Sequence, residues 1–317
     1  MRAFIARLLV ATAVVASAAA SAQSVTKIVV PFAAGGGTDV YVRMLAAELT
    51  KSGTQVIVEN KPGASGTIAA DYVARSRPDG QTVFVGTNST LGNNTVLFDK
   101  LPYDPLKDFA PVTHIGYQPM IIVARTELPY KTLPEMVAYA KANPDKINRG
   151  SPGAGIISNL APLMFERMTG IRTTHVPFNG DAPGLQALLG GSIDIHGTSI
   201  TASLPHVQSG KIRVLGVMDS KRLSQVPNAP TFKESGYELE AYAWYTLVAP
   251  AGTPREAIDK LNRAVNQVLA REDFIARARA AGMEPRGGTP EDLGRYIKSE
   301  FDRWVPLLKS LNLPKAS

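Results

Sequence analysis

Cysteine is absent from all 317 residues of the sequence, and histidine occurs only four times. The first absence excludes a disulfide framework and every thiolate metal site, so the fold has to be stabilised by burial of apolar side chains. No histidine lies in an H-E-x-x-H pattern and no serine in G-x-S-x-G, the patterns of zinc proteases and α/β-hydrolases. The sequence therefore predicts no metal and no catalytic residue, and we expect a protein that is not an enzyme.

Long runs of one charge are also missing, although 34 Lys and Arg residues outnumber 27 Asp and Glu residues. The basic residues are scattered among acidic ones, as in residues 271–279. A nucleic-acid interface would show a basic stripe with interleaved aromatic residues. The glycine-rich fingerprints of dinucleotide sites and phosphate-binding loops are absent as well, so we expect no nucleic acid and no cofactor.

The one strongly apolar stretch lies at the N-terminus. Arg2 and Arg7 precede an apolar run over residues 8–20, and Ala20 and Ala22 form a small-residue cleavage pattern. This order is typical of a secretory signal peptide, and the run falls short of the roughly 20 residues that span a bilayer. We expect residues 1–22 to be a signal peptide, so that the protein is exported.

Beyond this segment, short β-rich runs alternate with helical patterns. Residues 26–32, 55–60 and 82–90 read as strands, and a second block of the same kind begins at residues 119–124. Alternation of strands and helices indicates an α/β fold with a parallel sheet. The sequence length favours two domains.

Glycine-rich or polar loops stand between several of these strands and the helices that follow. They occupy residues 33–38, 62–67, 87–90, 151–155 and 178–183. Backbone N–H groups at such helix starts bind anions, although each loop alone can equally serve to turn the chain and cap the helix. Because the loops divide between two blocks, we expect them to form the facing rims of one cleft.

Seven segments in chain order resemble one family. They include "PFAAGGGTDVYVR", "VENKPGASG", "VPFNGDAPGLQALLGGSIDI" and "WYTLVAPAGTP". The chain resembles the periplasmic solute receptors of tripartite tricarboxylate transporters, the Bug-type receptors. The resemblance implies a two-lobed periplasmic binding protein of the type II-like flytrap class. Two hinge strands would cross near residues 118–123 and 242–248, with residues 23–118 and 246–317 in lobe I and 119–245 in lobe II.

The resemblance also implies a function and a site. It implies a monomeric periplasmic receptor that holds a small carboxylate and delivers it to the membrane subunits of a tripartite tricarboxylate transporter, with no metal or cofactor. The implied ligand contacts in lobe I are Ala34, Gly35, Gly36, Asn88, Ser89 and Thr90. Those in lobe II are Ser151, Gly153, Gly155, Ile156, Ser158, Phe178, Asn179, Gly180, Asp181, Thr198 and Ser199.

The chain departs from the family pattern at three positions. Ile156 replaces a small polar residue, Asn159 replaces a histidine, and Phe178 replaces a tyrosine. The first and third changes favour a carboxylate with an apolar or aromatic body over citrate. Trp244 is either a ligand contact or a core residue. A ligand sensor that feeds a two-component system, and less favoured an exported enzyme, are the alternative functions.

The export signal is directly testable. We expect the exported protein to begin at Gln23, because Ala20 and Ala22 satisfy the small-residue cleavage rule. N-terminal sequencing of the exported protein measures this. A soluble fraction in which the chain still begins at Met1 or Arg2 would contradict the prediction.

Overall fold

The computed structural model describes residues 25–35, 37–151, 156–178, 181–311 and 315. The expected signal peptide, residues 1–22, lies outside this part of the chain. Five of the expected ligand contacts also lie outside the described residues: Gly36, Gly153, Gly155, Asn179 and Gly180.

The N-terminal third alternates strands with helices, as the sequence predicts. Its elements are β1 (Thr26–Val30), α1 (Gly37–Lys51), β2 (Val56–Asn60), α2 (Thr67–Ala74), β3 (Thr82–Thr87), a π-helical turn (Ser89–Asn93) and α3 (Asn94–Leu97). β1 pairs in parallel with both β2 and β3. Its last three residues, Ile28, Val29 and Val30, are fully buried, as expected for a strand covered by helices on both faces.

The middle of the chain repeats this plan. Its elements are β4 (Phe109–Arg125), α4 (Leu133–Ala142), β5 (Asn148–Ser151), α5 (Ile157–Thr169), β6 (Thr174–Pro177), α6 (Asp181–Leu189), β7 (Ile195–Ser199), α7 (Ile200–Gln208) and β8 (Ile212–Val217). β5 pairs in parallel with β6 and β7. The two-block α/β architecture predicted from the sequence is therefore confirmed.

The C-terminal part returns to the first block. Its elements are β9 (Tyr242–Pro250), α8 (Arg255–Leu269), α9 (Glu272–Ala280), β10 (Glu284–Pro285) and α10 (Pro290–Ser310). β9 lies between β3 and β4 and is antiparallel to both. No helix in the described part of the chain is both long and apolar enough to cross a membrane.

β4 joins two sheets. We call each sheet, with the helices packed on it, a lobe: the first lobe contains β1, β2, β3, β9 and β10, and the second contains β5, β6, β7 and β8. The N-terminal part of β4 pairs with β9 and β10 in the first lobe, and its residues from Met120 onward pair with β7 and β8 in the second. The chain crosses back near Ala241, whose N–H donates to Met218 O and whose carbonyl accepts from Met120 N–H. The change of sheet within β4 falls inside the expected range 118–123, whereas residues 242–248 all belong to β9 of the first lobe, just after the chain has crossed back. The boundaries at residues 118/119 and 245/246 stay a prediction.

β4 begins at Phe109, so Pro111 lies inside the strand. Pro111 argues against a central strand, since proline cannot donate to a ladder. The strand accommodates it with shifts of register between Pro111 and Thr113 and again between His114 and Gly116. A β-bulge leaves its extra residue unpaired, so the strand does not need a backbone N–H donor at every position.

Side chains cap two of the helices and leave a third uncapped. Thr289 and Asp292 form a reciprocal capping box at the start of α10. Thr132 accepts from the Glu135 N–H at the start of α4. Thr253 does not cap α8: its Oγ1 donates to the Pro250 carbonyl, and α8 begins after Pro254 with no side-chain cap.

The C-terminal helix packs against the cores of both lobes. Leu293 and Ile297 join the apolar cluster around Phe84 in the first lobe. Trp304 and Leu308 join the second-lobe cluster that contains Phe165. α10 therefore ties the two lobes together on the side where the chain crosses.

This packing generates a stability prediction. Replacing fully buried Leu308 by alanine should lower the free energy of unfolding by about 2–5 kcal/mol, because it removes apolar contacts and leaves a cavity. Denaturant unfolding measures the change. Lys309→Ala, at the exposed neighbouring position, is the matched control and should stay within about 0.5 kcal/mol. An equal effect of both variants would contradict the packing role.

Candidate functional site

A cleft of about 1100 Å³ lies between the two lobes and is lined by residues of both. The first lobe contributes loop residues before α1 and α2 and the start of the π-helical turn. The second contributes the beginnings of α5, α6 and α7, and the crossing strands supply Gln118 and Tyr245. Four of the five loops that the sequence predicts as rims, residues 33–38, 62–67, 87–90 and 178–183, therefore contribute lining residues to one cleft; residues 152–155 of the fifth lie outside the described residues.

Five α-helices direct their first turns at this cleft. The lining residues at these helix starts are Gly37 and Thr38 of α1, Gly66 before α2, Ile157 and Ser158 of α5, Asp181 and Ala182 of α6, and Ser199 and Thr201 at α7. The first turn of a helix has N–H groups without intrahelical partners and carries the positive end of the helix dipole. The convergence makes the cleft attractive to an anion.

Charged side chains contribute little to this potential. Among the described residues that line the cleft, none is Lys or Arg, and Asp181 is the one carboxylate. Apolar side chains cover much of the remaining wall, including Phe178, Ile156, Met120 and Leu185. A bound anion would be held by backbone N–H groups and hydroxyls instead of by a guanidinium or an ammonium.

The glycine loop before α1 is held by its own helix. Gly35, with φ of +83°, donates its N–H to Asp39 Oδ2 at 2.9 Å. Asp39 also accepts from Arg43 and from Asn60 Nδ2. Burial opposes ionisation of the Asp39 carboxyl, but the hydrogen bonds from Arg43, Gly35 and Asn60 hold its pKa below the ordinary value. Ala34 and Gly35 line the cleft, but the Gly35 N–H is already occupied.

The three expected contacts at residues 88–90 differ in how their side chains are placed relative to the cleft. Ser89 lines the cleft. Asn88 also reaches it, but its side chain bridges β9: Nδ2 donates to Tyr242 O at 3.1 Å, and Oδ1 accepts from the Trp244 N–H at 3.0 Å. Thr90 is fully buried, and its Oγ1 accepts from the Thr87 N–H. Asn88 and Thr90 therefore shape the loop.

The second-lobe residues also divide. Five expected contacts line the cleft: Ile156, Ser158, Phe178, Asp181 and Ser199. Ser151 is fully buried, and its Oγ lies 2.8 Å from His175 Nε2. Thr198 is fully buried and donates to Asp181 Oδ1 at 2.7 Å. Ser151 and Thr198 therefore stand behind the wall instead of on it.

Several lining residues were not among the expected contacts. Gln118 on β4 donates to Thr201 Oγ1 at the start of α7, and Tyr245 on β9 donates to Gln118 Oε1 at 3.5 Å. Burial raises the pKa of the Tyr245 hydroxyl to about 12, and the Asp181 charge adds to that rise. A polar residue inside an otherwise apolar strand was the available sequence signal for Gln118.

Trp244 combines the two roles left open by the sequence. It borders the cleft, yet it is almost fully buried, and its Nε1 donates to Glu300 Oε2 at 3.0 Å. Its ring packs edge-on against Tyr296 of α10. The indole is therefore chiefly a core group that supports the crossing strand.

The Asn88 bridge generates a stability prediction. Asn88→Ala should lower the free energy of unfolding by about 2–3 kcal/mol, because the half-buried Tyr242 carbonyl and the buried Trp244 N–H of β9 lose their partner. Ser89→Ala, one residue further along the same wall, should cost about 1 kcal/mol or less. Denaturant unfolding of the two variants measures the difference. Equal costs would show that the bridge contributes nothing.

Comparisons with known proteins agree with this architecture. The family model of the tripartite tricarboxylate transporter family receptor matches residues 41–313. Protein BugT of Bordetella pertussis is 33% identical over 286 residues, which cover 89% of this chain and 88% of that protein.

Two solved structures are similar in sequence and fold. R. palustris Rpa4515 with adipate is 33% identical with a TM-score of 0.86, covering 93% of this chain and 100% of that one. MatC (Rpa3494) from Rhodopseudomonas palustris with bound malate is 36% identical with a TM-score of 0.80, covering 90% and 98%. The match over most of the chain, in sequence and in fold, shows that this protein belongs to the tripartite tricarboxylate transporter receptor family.

Proposed function

We propose that this protein is a periplasmic solute receptor that captures a small carboxylate between its lobes and delivers it to the membrane subunits of a tripartite transporter. In this proposal the receptor works as a monomer. It performs no chemistry, since its family consists of receptors and not enzymes. The observation that carries the proposal is the convergence of five helix N-termini on one interlobe cleft whose described lining has no Lys or Arg.

The chemistry of the cleft suits a carboxylate. A carboxylate offers two oxygens, and each accepts hydrogen bonds from N–H groups of the kind that the helix starts present. The related structures carry adipate and malate, and both are small dicarboxylates. The volume of about 1100 Å³ leaves room for such a ligand together with water in the open cleft.

The apolar part of the wall favours a ligand with a carbon body. Ile156 and Phe178 both line the cleft in the second lobe. Each buried CH₂ contributes about 0.8 kcal/mol, whereas a buried polar group without a partner costs about 1–3 kcal/mol. Citrate, with three carboxylates and a hydroxyl, should therefore bind less tightly than a dicarboxylate with an uninterrupted carbon chain.

Binding is expected to close the lobes. The cleft walls belong to both lobes, and the lobes are joined through β4, the crossing at Ala241 and α10. A ligand that contacts both walls binds the closed state better and shifts the population toward it. Closure also presents one ligand-dependent surface to a membrane partner.

The proposal predicts binding without turnover. In calorimetry with a panel of glutarate, adipate, malate, citrate and 3-phenylpropionate, at least one dicarboxylate should bind, and citrate should bind more weakly. The bound molecule should be recovered unchanged, and X-ray scattering should show a smaller radius of gyration at saturation. Absence of binding to every panel member, or turnover of the ligand, would contradict the receptor function.

Two matched glycine variants test the position of the ligand. Gly35 and Gly53 both have positive φ and open space where a Cβ would lie, but only Gly35 lines the cleft. Valine at either position should cost similar stability, because the left-handed conformation strains any side chain. Only Gly35→Val should weaken carboxylate binding, by about tenfold or more. Equal affinities of the two variants would remove this loop from the site.

A further inference from the structure

Asp181 is the one acidic residue among the described residues that line the cleft. Its side chain keeps 35% of its surface exposed. A carboxylate at this position repels a ligand that carries only negative charge. Asp181 therefore weakens the binding of a simple carboxylate, and a ligand with a complementary positive group would avoid this cost.

The Asp181 side chain is fixed in place from behind. Its Oδ1 accepts from Thr198 Oγ1 at 2.7 Å, and His196 Nε2 lies 3.5 Å from the same oxygen. Thr198 and His196 are both fully buried on β7. Both contacts engage Oδ1, so the second oxygen, Oδ2, is left for a group in the cleft.

An unpartnered hydroxyl lies in the same wall. Ser158, in the first turn of α5, is only 4% exposed, and its Oγ has no hydrogen-bond partner within the described part of the chain. It nevertheless lines the cleft. Its carbonyl packs against Gly197 of β7, where a Cβ would lie 2.1 Å away. Ser158 and Asp181 therefore flank the end of the same strand. A buried hydroxyl without a partner costs free energy unless a ligand supplies one.

We propose that Asp181 Oδ2, with Ser158 Oγ, accepts hydrogen bonds from an ammonium group of the ligand, so that the receptor prefers an amino acid to the carboxylate that lacks the amino group. The ligand carboxylate then lies against the helix N-termini, and its ammonium group faces Asp181. This inference rests on the proposed function and specifies its ligand class.

Capping of α6 alone accounts less well for Asp181. An acidic residue in the first turn stabilises a helix wherever that turn lies, and Glu256 and Asp292 do so outside the cleft in α8 and α10. Asp181 differs because its carboxylate faces a cavity in which other negative groups are expected to bind. A purely capping role affects stability but leaves the order of ligand affinities unchanged.

Pairs of ligands that differ only in the amino group test the inference. Calorimetry compares L-glutamate with glutarate and L-phenylalanine with 3-phenylpropionate. In at least one pair, the amine-bearing member should bind about tenfold or more tightly than its partner, because a site built for a charged donor discriminates against a ligand that lacks it.

Asp181→Asn removes the charge but keeps an oxygen that can accept from Thr198. The variant should reduce the preference to about twofold or less and should bind the amine-free partner at least as well as the parent protein. Glu256→Gln, at an exposed position in the first turn of α8, is the matched control and should retain the preference. Ser158→Ala should weaken the amine-bearing ligand severalfold, and it tests the site independently if Asp181→Asn fails to fold.

The outcomes separate this inference from the proposed function. Binding of glutarate, adipate or malate with no preference for either amino acid would overturn the inference and leave the receptor function intact. Retention of the preference in Asp181→Asn would overturn it as well. Failure of every carboxylate and amino acid to bind would count against both.

Discussion

The site depends on the backbone hydrogen bonding of β4 to two different sheets. The first part of the strand is in register with β9, and the part from Met120 onward is in register with β7. These two ladders bring Gln118 and Tyr245 to the base of the cleft, between the helix starts of the two lobes. Because successive residues of a strand face opposite sides, a slip of one residue would turn the wrong residues toward the cleft.

The backbone of the cleft offers N–H donors at the starts of several helices. Parallel strands in each lobe deliver the chain to the same edge of the sheet, and the following helices therefore begin at that edge. Helix N-termini provide fixed dipoles and N–H donors that need little reorganisation when a ligand enters. Asp181 is the one carboxylate among the described residues of this lining, and in the proposed ligand preference it is the residue that recognises a positively charged group.

Several polar side chains at the rim stabilise the loops. Asp39 accepts a hydrogen bond from the Gly35 N–H, Asn88 donates to the backbone of β9, and Thr198 donates to the Asp181 carboxylate. Buried backbone groups in irregular segments require partners, and short polar side chains supply them. The rim is therefore shaped before any ligand arrives, which reduces the ordering cost of binding.

The sequence by itself was sufficient for the α/β alternation, the two blocks and the placement of glycine-rich loops before helices. These features follow from local periodicity and from the conformations that residues such as Gly35 tolerate. The full length of β4 was not predictable from the sequence. Pro111 has no N–H to donate to a neighbouring strand, so it fits inside β4 only because the register shifts beside it and no hydrogen bond from that position is needed.

Only the tertiary structure decided which loop residues face the cleft. Ser89 and Asn88 are adjacent polar residues, yet the side chain of Asn88 is bound to Tyr242 of β9, which lies 154 residues further along the chain. Ser158 faces the cavity, whereas Thr198 is directed at Asp181. Local sequence determines where a polar residue occurs along the chain. Which hydrogen-bond partners its side chain can reach depends on strands and helices that only the long-range fold brings together.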